Sequence, residues 1–358
     1  MLNVGIIQEQ HPDRARLYLQ WQRIDWPIMV DALNRLDVNV VPITLLIDEN
    51  GTIRHRVSSR GDPTKIITEF LAEPPPDALE GSAAPQERDP AIWGDLERRD
   101  AVIEAYEKRL DADRSDGRTA FELGVLYRRR YDEGGGDSAD FERAVERWGR
   151  SIEADPNQYI WRRRIQQYGP RLEKPYPFYD WVSVARDEIE SRGEEPARLI
   201  AEPGGAEIAQ PIRSFDAALP RDGEPDPEGK TLRDDGKFVS AHTTVVPHAI
   251  KPGNSARVHV EFRPHGADAH WNNEAGGMTL WIDAPNGWRI DRQRIERANP
   301  PEPVSLETRR IEFEIQAPGD ASGVVRLPAY ALYYVCKGTK GACLYRRQDL
   351  QIPVTVAP

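Results

Sequence analysis

The chain has 358 residues, of which 39% are hydrophobic and 30% are charged, and its formal net charge is −11. This length suffices for two or three domains, and the composition is that of a globular protein. An acidic chain is repelled by nucleic acid and by anionic membranes, so neither is an expected partner. No apolar stretch approaches the roughly 20 residues that a membrane-spanning helix needs, so we expect no membrane span.

Strand and helix signals alternate along residues 1–72. In chain order they predict a strand at 4–7, a helix at 14–24, a strand at 27–30, a helix at 32–36, strands at 40–47 and 52–57, and a helix at 63–71. Asn50-Gly51 predicts a hairpin turn between the last two strands, because both residues tolerate positive φ angles. Mixed elements of this kind are typical of an α/β sheet. The proline-rich, polar segment 73–90 predicts a linker.

The middle region, residues 91–195, is predicted to be helical and contains a repeat. At an offset of 42 residues Tyr106 aligns with Trp148, and Ala112-Asp113 aligns with Ala154-Asp155. This region resembles the tetratricopeptide repeat. The residues that carry the resemblance are Leu123, Gly124 and Tyr127 in the first helix, and Ala144, Trp148 and Pro156 in and after the second. Two interpretations stay open, a groove that binds a partner protein and a helical spacer between domains.

The segment from Val40 to Ile53 resembles redoxins, the thioredoxin-like family that includes the thiol-specific antioxidant proteins. In that family the proline at the place of Pro42 is cis and packs against the active-site cysteines. No cysteine precedes Cys336 in this chain, so the region as given lacks the thiolate that such chemistry needs. We therefore expect residues 1–72 to be a truncated thioredoxin-like domain whose natural chain begins upstream of Met1.

Residues 196–236 are rich in Pro, Asp and Gly and predict a second linker or arm. From 237 to 358 seven strands are predicted, with turn signals between them, which is typical of a β-sandwich. The predicted strands are Thr243–Val246, Ala256–Phe262, Met278–Ile282, Trp288–Ile290, Arg310–Ile315, Val324–Val335 and Leu350–Val356. The expected fold class is therefore multidomain α+β, with a partial thioredoxin-like sheet, a helical module and a C-terminal sandwich.

The only two cysteines, Cys336 and Cys343, flank a short turn that contains glycine. Cysteines so placed can meet at bonding distance. From the residues alone, three interpretations stay open: a redox-active pair, a structural disulfide, and two reduced thiols. Nearby positive charge would favour the thiolate, and the basic residues close in sequence are Lys337, Lys340, Arg346 and Arg347.

The strand–turn–strand from Ala331 to Val354 resembles the N-terminal domain of DsbD, an immunoglobulin-like sandwich that relays electrons through two cysteines. The resemblance implies that Cys336 and Cys343 are catalytic, that the partner is a thioredoxin-like or other redox protein, and that the location is periplasmic or otherwise extracytoplasmic. A chain that truly starts at Met1 would instead be cytoplasmic, because its first residues are no signal peptide.

The loop from His265 to Glu274 is the other concentration of polar chemistry. A metal site would use His259, His265, His270 and Glu274, but no recognised zinc spacing is present. The favoured interpretation is a polar loop in which Asn272 and Asn273 make turn bonds and Trp271 caps the sandwich. An intermediate interpretation is that this loop shields the cysteine pair, as the cap does in the DsbD-like domain that the hairpin resembles, which makes His270, Trp271, Asn272, Asn273 and Glu274 supporting residues.

The sequence thus predicts thiol–disulfide exchange or a redox relay, with no cofactor and with Pro42 in a supporting role. One alternative is a non-catalytic scaffold protein with a structural disulfide, binding partners at the helical module. A second alternative is an extracellular metal- or glycan-binding module. The aromatic residues that suggest a glycan platform are Trp281, Trp288, Tyr330, Tyr333 and Tyr345.

Overall fold

The structure is a computed structural model. It describes residues 3–39, 41, 43–57, 62–74, 96–133, 136–171, 178–204, 207–208, 215, 223–266, 268–338 and 342–357. Within these residues the chain is a mixed α+β protein with seven helices and fifteen strands. No helix in this part of the chain is both long and apolar enough to cross a membrane.

The N-terminal region contains two pairs of short strands and two helices. In chain order they are β1 (Gly5–Ile7), α1 (Pro12–Gln22), β2 (Ile28–Val30), β3 (Thr44–Ile47), β4 (Ile53–Val57) and α2 (Pro63–Ala72). β1 pairs with β2 in parallel and β3 pairs with β4 antiparallel, and no pairing among the described residues joins the two sheets. The thioredoxin-like assignment stays a prediction, and Pro42 lies outside the described residues.

The helix expected at residues 32–36 is wrong, because this segment forms two turns. The carboxylate of Asp31 accepts hydrogen bonds from the backbone N–H groups of Arg35 and Leu36, at 2.7 and 3.1 Å. Asn34 adopts a left-handed φ of 53°. An aspartate that binds the backbone in this way competes with helix formation.

Five helices follow. They are α3 (Leu96–Ala112), α4 (Gly117–Asp132), α5 (Asp140–Ala154), α6 (Tyr159–Gln166) and α7 (Trp181–Ser191). α4 and α5 approach closely where Gly124 meets the indole of Trp148, which is fully buried. The absence of a side chain at Gly124 makes this approach possible. The residues quoted for the repeat therefore lie in one helix pair, although the tetratricopeptide assignment itself stays a prediction.

The C-terminal region consists of strands that form two packed sheets. The strands are β5 (Val239–Val246), β6 (Ala249–Ile250), β7 (Ser255–Pro264), β8 (Ala269–Asn272), β9 (Met278–Ile282), β10 (Arg289–Ile290), β11 (Arg294–Arg297), β12 (Val304–Ser305), β13 (Arg309–Gln316), β14 (Gly323–Lys337) and β15 (Cys343–Val356). One sheet has the order β10-β13-β7-β5, and the other has the order β11-β9-β14-β15-β6, with β8 joined to β14 and β12. Buried side chains of both sheets form one hydrophobic core.

Each of the seven predicted strands corresponds to a strand of these sheets, so the expected sandwich of packed β-sheets is present. The polar loop expected around His270 is partly wrong, because Ala269–Asn272 is strand β8. Trp271 in this strand is fully buried in the core rather than capping it. Strands are usually enriched in β-branched and aromatic residues. Ala269–Asn272 contains only one residue of these types, Trp271, so its sequence gives a weak strand signal.

The regions share cores. Ala32 and Leu33, next to β2, pack into the same apolar cluster as α4 and α5. Leu17 of α1 packs with Val182 and Ile189 of α7. Val246 of β5 joins the helical cluster as well. The helices therefore contact both the N-terminal segment and the sandwich.

Candidate functional site

The two cysteines lie opposite each other at one end of the β14–β15 hairpin. The strands pair antiparallel without interruption from Gly323 with Val356 to Cys336 with Cys343. A disulfide joins the two cysteines, and their Cα atoms are 4.0 Å apart. Gly338 begins the turn with a left-handed φ of 69°, a conformation that glycine adopts without a Cβ clash. The interpretation of two reduced thiols is therefore wrong.

The two cysteines differ in their access to solvent. Cys336 is 4% exposed, because β14 lies between β15 and β8 at this point. Cys343 is exposed, and among the described residues no strand other than β14 pairs with β15 at this point. An incoming thiolate can therefore reach the sulfur of Cys343 more readily than that of Cys336.

β8 pairs with β14 beside Cys336, and His270 of β8 is directly opposite Cys336. Residues directly opposite on neighbouring strands point to the same face of a sheet, so His270, Cys336 and Cys343 share one face. The next pair, Val335 with Trp271, is fully buried in the core, so the cysteines and His270 are on the outer face. The structure therefore brings His270, one of the predicted supporting residues, beside the disulfide.

A pair of tyrosines continues this outer face. Tyr334 and Tyr345 are opposite each other, two residues from the cysteines, and their ring centroids are 4.6 Å apart. Tyr345 is 41% exposed, and burial of the rest of its ring raises its pKa. The two rings form a neutral aromatic surface next to Cys343.

The remaining predicted supporting residues hold the neighbouring edge. The side chain of Asn272 accepts the backbone N–H of Glu274, which is the predicted turn bond. The side-chain amide of Asn273 donates to the carbonyl of Glu302 and to the hydroxyl of Ser305, both at 2.8 Å. These bonds fix the β8–β12 edge, and they do not reach the sulfurs.

Of the basic residues expected beside the cysteines, Arg347 is engaged elsewhere. Arg347 donates to the carboxylates of Asp226 and Asp349, and its guanidinium lies over the ring of Tyr330 at 3.6 Å. Its charge is therefore compensated away from the disulfide. Lys340 lies outside the described residues.

The histidines expected for a metal site are separated from one another. The ring of His259 contacts the carbonyl oxygen of Tyr168 and the carboxylate of Glu312, that of His265 contacts the carbonyl of Gly236, and that of His270 contacts a loop carbonyl. Across the described part of the chain, no three His, Cys, Asp or Glu residues are grouped to hold a metal ion.

The aromatic residues expected for a glycan platform are mostly inside the protein. Trp281, Tyr330 and Tyr333 are almost fully buried, and Trp288 packs against the core. The hydroxyl of Tyr333 donates to the buried carboxylate of Asp234 at 2.6 Å. These aromatic side chains therefore stabilise the sandwich.

A second polar centre, which the sequence did not indicate, joins α1 to the residues that follow α7. The guanidinium of Arg14 is buried and lies 2.5 Å from the carboxylate of Glu207. His11 is buried beside Asp132, at 3.4 Å, and beside the hydroxyl of Tyr168. Burial and the surrounding arginines lower the pKa of His11 well below its ordinary value, so His11 is neutral at pH 7 in spite of Asp132.

A cavity lies between the helices and the four-stranded sheet. Tyr131 and Arg128 of α4 line it on one side, and His259 of β7 and Glu312 of β13 line it on the other. Burial alone would raise the pKa of Glu312, but His259 and the neighbouring Arg257 hold it well below its ordinary value. Burial raises the pKa of Tyr131 to about 12.

The comparisons with known proteins assign no family to this chain. No protein-family model matches it, and no curated protein does. Among solved structures, AggA, the major subunit of aggregative adherence fimbriae type I from Escherichia coli, aligns with 36% of this chain and 99% of its own, at 11% identity and a TM-score of 0.21. A FixG-related protein from Vibrio parahaemolyticus aligns with 32% of this chain and 95% of its own, at 7% identity and a TM-score of 0.16. Likenesses at these scores carry no conclusion about function.

Proposed function

We propose that this protein carries out thiol–disulfide exchange through the Cys336–Cys343 disulfide, and that a partner thiolate attacks the sulfur of Cys343. The observation that carries the proposal is the unequal exposure of the two cysteines, with Cys343 exposed and Cys336 buried on β14 between β15 and β8. Exchange requires in-line access of a thiolate to one sulfur, and exposed disulfides are the ones that react.

The exchange proceeds in two displacements. A partner thiolate attacks the sulfur of Cys343, the Cys336–Cys343 bond breaks, and Cys336 leaves as a thiolate that takes up a proton. A second thiolate of the partner then attacks the partner's own sulfur in the mixed disulfide, and Cys343 leaves in turn. The partner is oxidised to a disulfide and this protein is reduced to a dithiol. The reverse sequence oxidises the protein.

The hairpin itself weighs against a purely structural disulfide. β14 and β15 are already held by continuous pairing from Gly323 to Cys336, and the sandwich has a large core. Closing the short loop between the cysteines adds roughly 2 to 3 kcal/mol on the chain-entropy model. This contribution adds to a strand pairing and a core that already hold β14 and β15 together. The position of the bond at an accessible corner is better explained by reactivity.

The outer face around the bond suits a protein partner. His270 beside Cys336 and the aromatic pair of Tyr334 and Tyr345 give a surface with hydrogen-bonding and apolar parts. Tyrosine is enriched in protein interfaces because its ring is large and rigid and its hydroxyl is polar. We propose a thioredoxin-like protein or another dithiol protein as the partner.

The proposal extends to the rest of the chain on sequence grounds. Residues 1–72 are taken as a degenerate thioredoxin-like segment without a nucleophile, residues 91–195 as a tetratricopeptide-like module that binds a partner, and residues 237–358 as an immunoglobulin-like redox domain. Disulfides persist in oxidising compartments, which supports an extracytoplasmic location.

A redox titration of the purified full chain tests the proposal. The protein is equilibrated with a series of dithiothreitol or glutathione buffers, free thiols are alkylated, and the fraction reduced is read by mass spectrometry. We expect reversible reduction of Cys336–Cys343 at roughly −120 to −270 mV, the range of exchange proteins. A bond that stays oxidised below about −300 mV would support the alternative, a binding scaffold with a structural disulfide.

A further inference from the structure

The cavity between the helices and the four-stranded sheet has a volume of about 50 Å³. A water molecule needs roughly 10–15 Å³ measured in this way, so the cavity has room for a group the size of several waters. Charged and tyrosyl side chains from α4, β5, β7 and β13 line it. Its walls therefore come from both the helical part and the sandwich.

The carboxylates that line the cavity already have cationic partners. Each one is within 3 Å of an arginine nitrogen. The pairs are Glu202 with Arg186, Glu207 with Arg14, Glu261 with Arg263 and Glu312 with Arg257. Their charges are therefore compensated, and they offer little attraction to a cation.

The arginines that line the cavity each have one carboxylate partner, at Nε, and their terminal nitrogens have no acceptor among the described residues. Arg128 is 7% exposed, and its Nε donates to Asp132 at 2.9 Å. The flat guanidinium lies over the rings of Phe141 and Tyr168, at 4.2 and 4.4 Å. Among the described residues, no acceptor lies within hydrogen-bonding distance of its two terminal nitrogens. These two nitrogens can therefore donate to a group in the cavity.

A second guanidinium approaches from the sheet. Nε of Arg310 is 3.4 Å from the hydroxyl of Tyr131 and 3.6 Å from the carboxylate of Glu261, and no acceptor in the described part of the chain bonds to its terminal nitrogens. Arg128 and Arg310 both lie against the ring of Tyr131, with centroid distances of 5.1 and 5.3 Å. Nε2 of His242, which also lines the cavity, is buried without a hydrogen-bond partner and lies 3.9 Å from the carboxylate of Glu142. Nitrogen atoms without a hydrogen-bond acceptor thus occur on three side chains that line the same cavity.

We propose that this cavity binds a small oxyanion, a carboxylate or a phosphate group, between Arg128 and Arg310. Guanidinium groups present paired N–H donors that match the two oxygens of such an anion. The ligand is the anionic end of a small metabolite or a free inorganic anion. Because Arg128 belongs to a helix and Arg310 to the sheet, the bound anion ties the helical part to the sandwich. This site is independent of the disulfide chemistry proposed above.

Thermal unfolding of the full chain in phosphate, acetate and chloride, at equal pH and ionic strength, tests the proposal. A ligand that binds only the folded state raises the unfolding temperature in a concentration-dependent way. We expect phosphate or acetate, or both, to raise it relative to chloride. A response to both anions identifies the carboxylate-like chemistry they share, and a response to one of them selects a phosphate or a carboxylate source. Equal unfolding temperatures in all three salts would overturn the proposal.

Arg310→Gln removes one side of the site, and Arg294→Gln is the matched control. The two side chains are equally exposed, at 41% and 42%, but Arg294 is on β11, in the other sheet. We expect Arg310→Gln to weaken anion binding by about tenfold or more, as loss of a charge-assisted pair does, and Arg294→Gln to leave it unchanged. Equal effects of the two variants would show non-specific screening and refute the site.

Isothermal titration calorimetry of the wild-type chain with inorganic phosphate and with acetate keeps the test independent of folding in the variants. The proposal requires one site per chain for at least one of the two anions. Absence of a saturable heat with both anions would refute it.

Discussion

Replacing Gly124 by alanine tests how closely α4 and α5 pack. A Cβ at this position would lie 2.3 Å from Nε1 and 2.4 Å from Cδ1 of Trp148. The indole cannot move away easily, because it is fully buried and stacks on the ring of Tyr168 with a centroid distance of 5.6 Å. Overpacking of this kind typically costs about 1–3 kcal/mol.

Gly149 is the matched control, because it lies in α5 and an added Cβ there would meet no atom within 4 Å. Glycine within a helix is less favourable than alanine by roughly 0.5–1 kcal/mol. We therefore expect Gly149→Ala to raise the free energy of unfolding by up to about 1 kcal/mol. Gly124→Ala gains the same helix propensity but loses more to the clash, so its net effect is destabilising.

Urea unfolding followed by circular dichroism at 222 nm measures both variants against the wild type. We expect the free energy of unfolding to fall in Gly124→Ala and to rise in Gly149→Ala, while its dependence on urea concentration stays unchanged. If Gly124→Ala proved as stabilising as Gly149→Ala, the close helix contact would be refuted.

Two further predictions concern the buried polar centre around α1. The pKa of His11 is lower in the folded than in the unfolded protein, so unfolding takes up a proton below pH 6.5. The free energy of unfolding should fall by up to about 1.4 kcal/mol per pH unit from pH 6.5 downward, and His11→Gln should reduce this dependence on pH. Urea titrations between pH 7 and 5 measure it. An equal pH dependence in the wild type and the variant would contradict the burial of a neutral imidazole. Glu207→Gln leaves Arg14 buried without its carboxylate and should cost about 3–5 kcal/mol, whereas Glu202→Gln, which removes an exposed pair with Arg186, should cost less than about 1 kcal/mol; similar losses in chemical denaturation would refute the distinction.

The sequence predicts the sandwich strands well because they carry strong local signals. Apolar and polar residues alternate along Ala256–Phe262 and Arg310–Ile315, and these segments lie in β7 and β13, which pair with each other. The hairpin turn before Thr52 is also present, with a left-handed φ of 77° at Gly51. Patterns of this kind act within a few residues, so they can be recognised without the fold.

Other elements depend on contacts that local patterns do not contain. β8 is polar at His270 and Asn272, and it becomes a strand by pairing with the end of β14. The turns after β2 replace a predicted helix because Asp31 binds the backbone ahead of it. Arg14 meets Glu207, 193 residues away in the chain. Such long-range ionic contacts are set by tertiary packing.

The sequence indicates the two cysteines of the candidate site but not the difference in solvent exposure between them. The spacing of Cys336 and Cys343 allows a bond across a turn, and the structure contains that bond. The difference in exposure arises because β8 pairs with β14 beside Cys336 and does not pair with β15. β8 was not among the predicted strands. The sequence alone therefore could not say which sulfur a thiolate would reach.

Mapping the mixed disulfide tests the central claim most directly. The oxidised full chain is mixed with excess glutathione, quenched in acid within seconds, alkylated and digested, and the glutathione adduct is located by mass spectrometry. The account predicts that the adduct is on Cys343 and the alkyl label on Cys336, because Cys343 is exposed and Cys336 is 4% exposed. Adducts mainly on Cys336, or a bond that glutathione leaves intact, would contradict it.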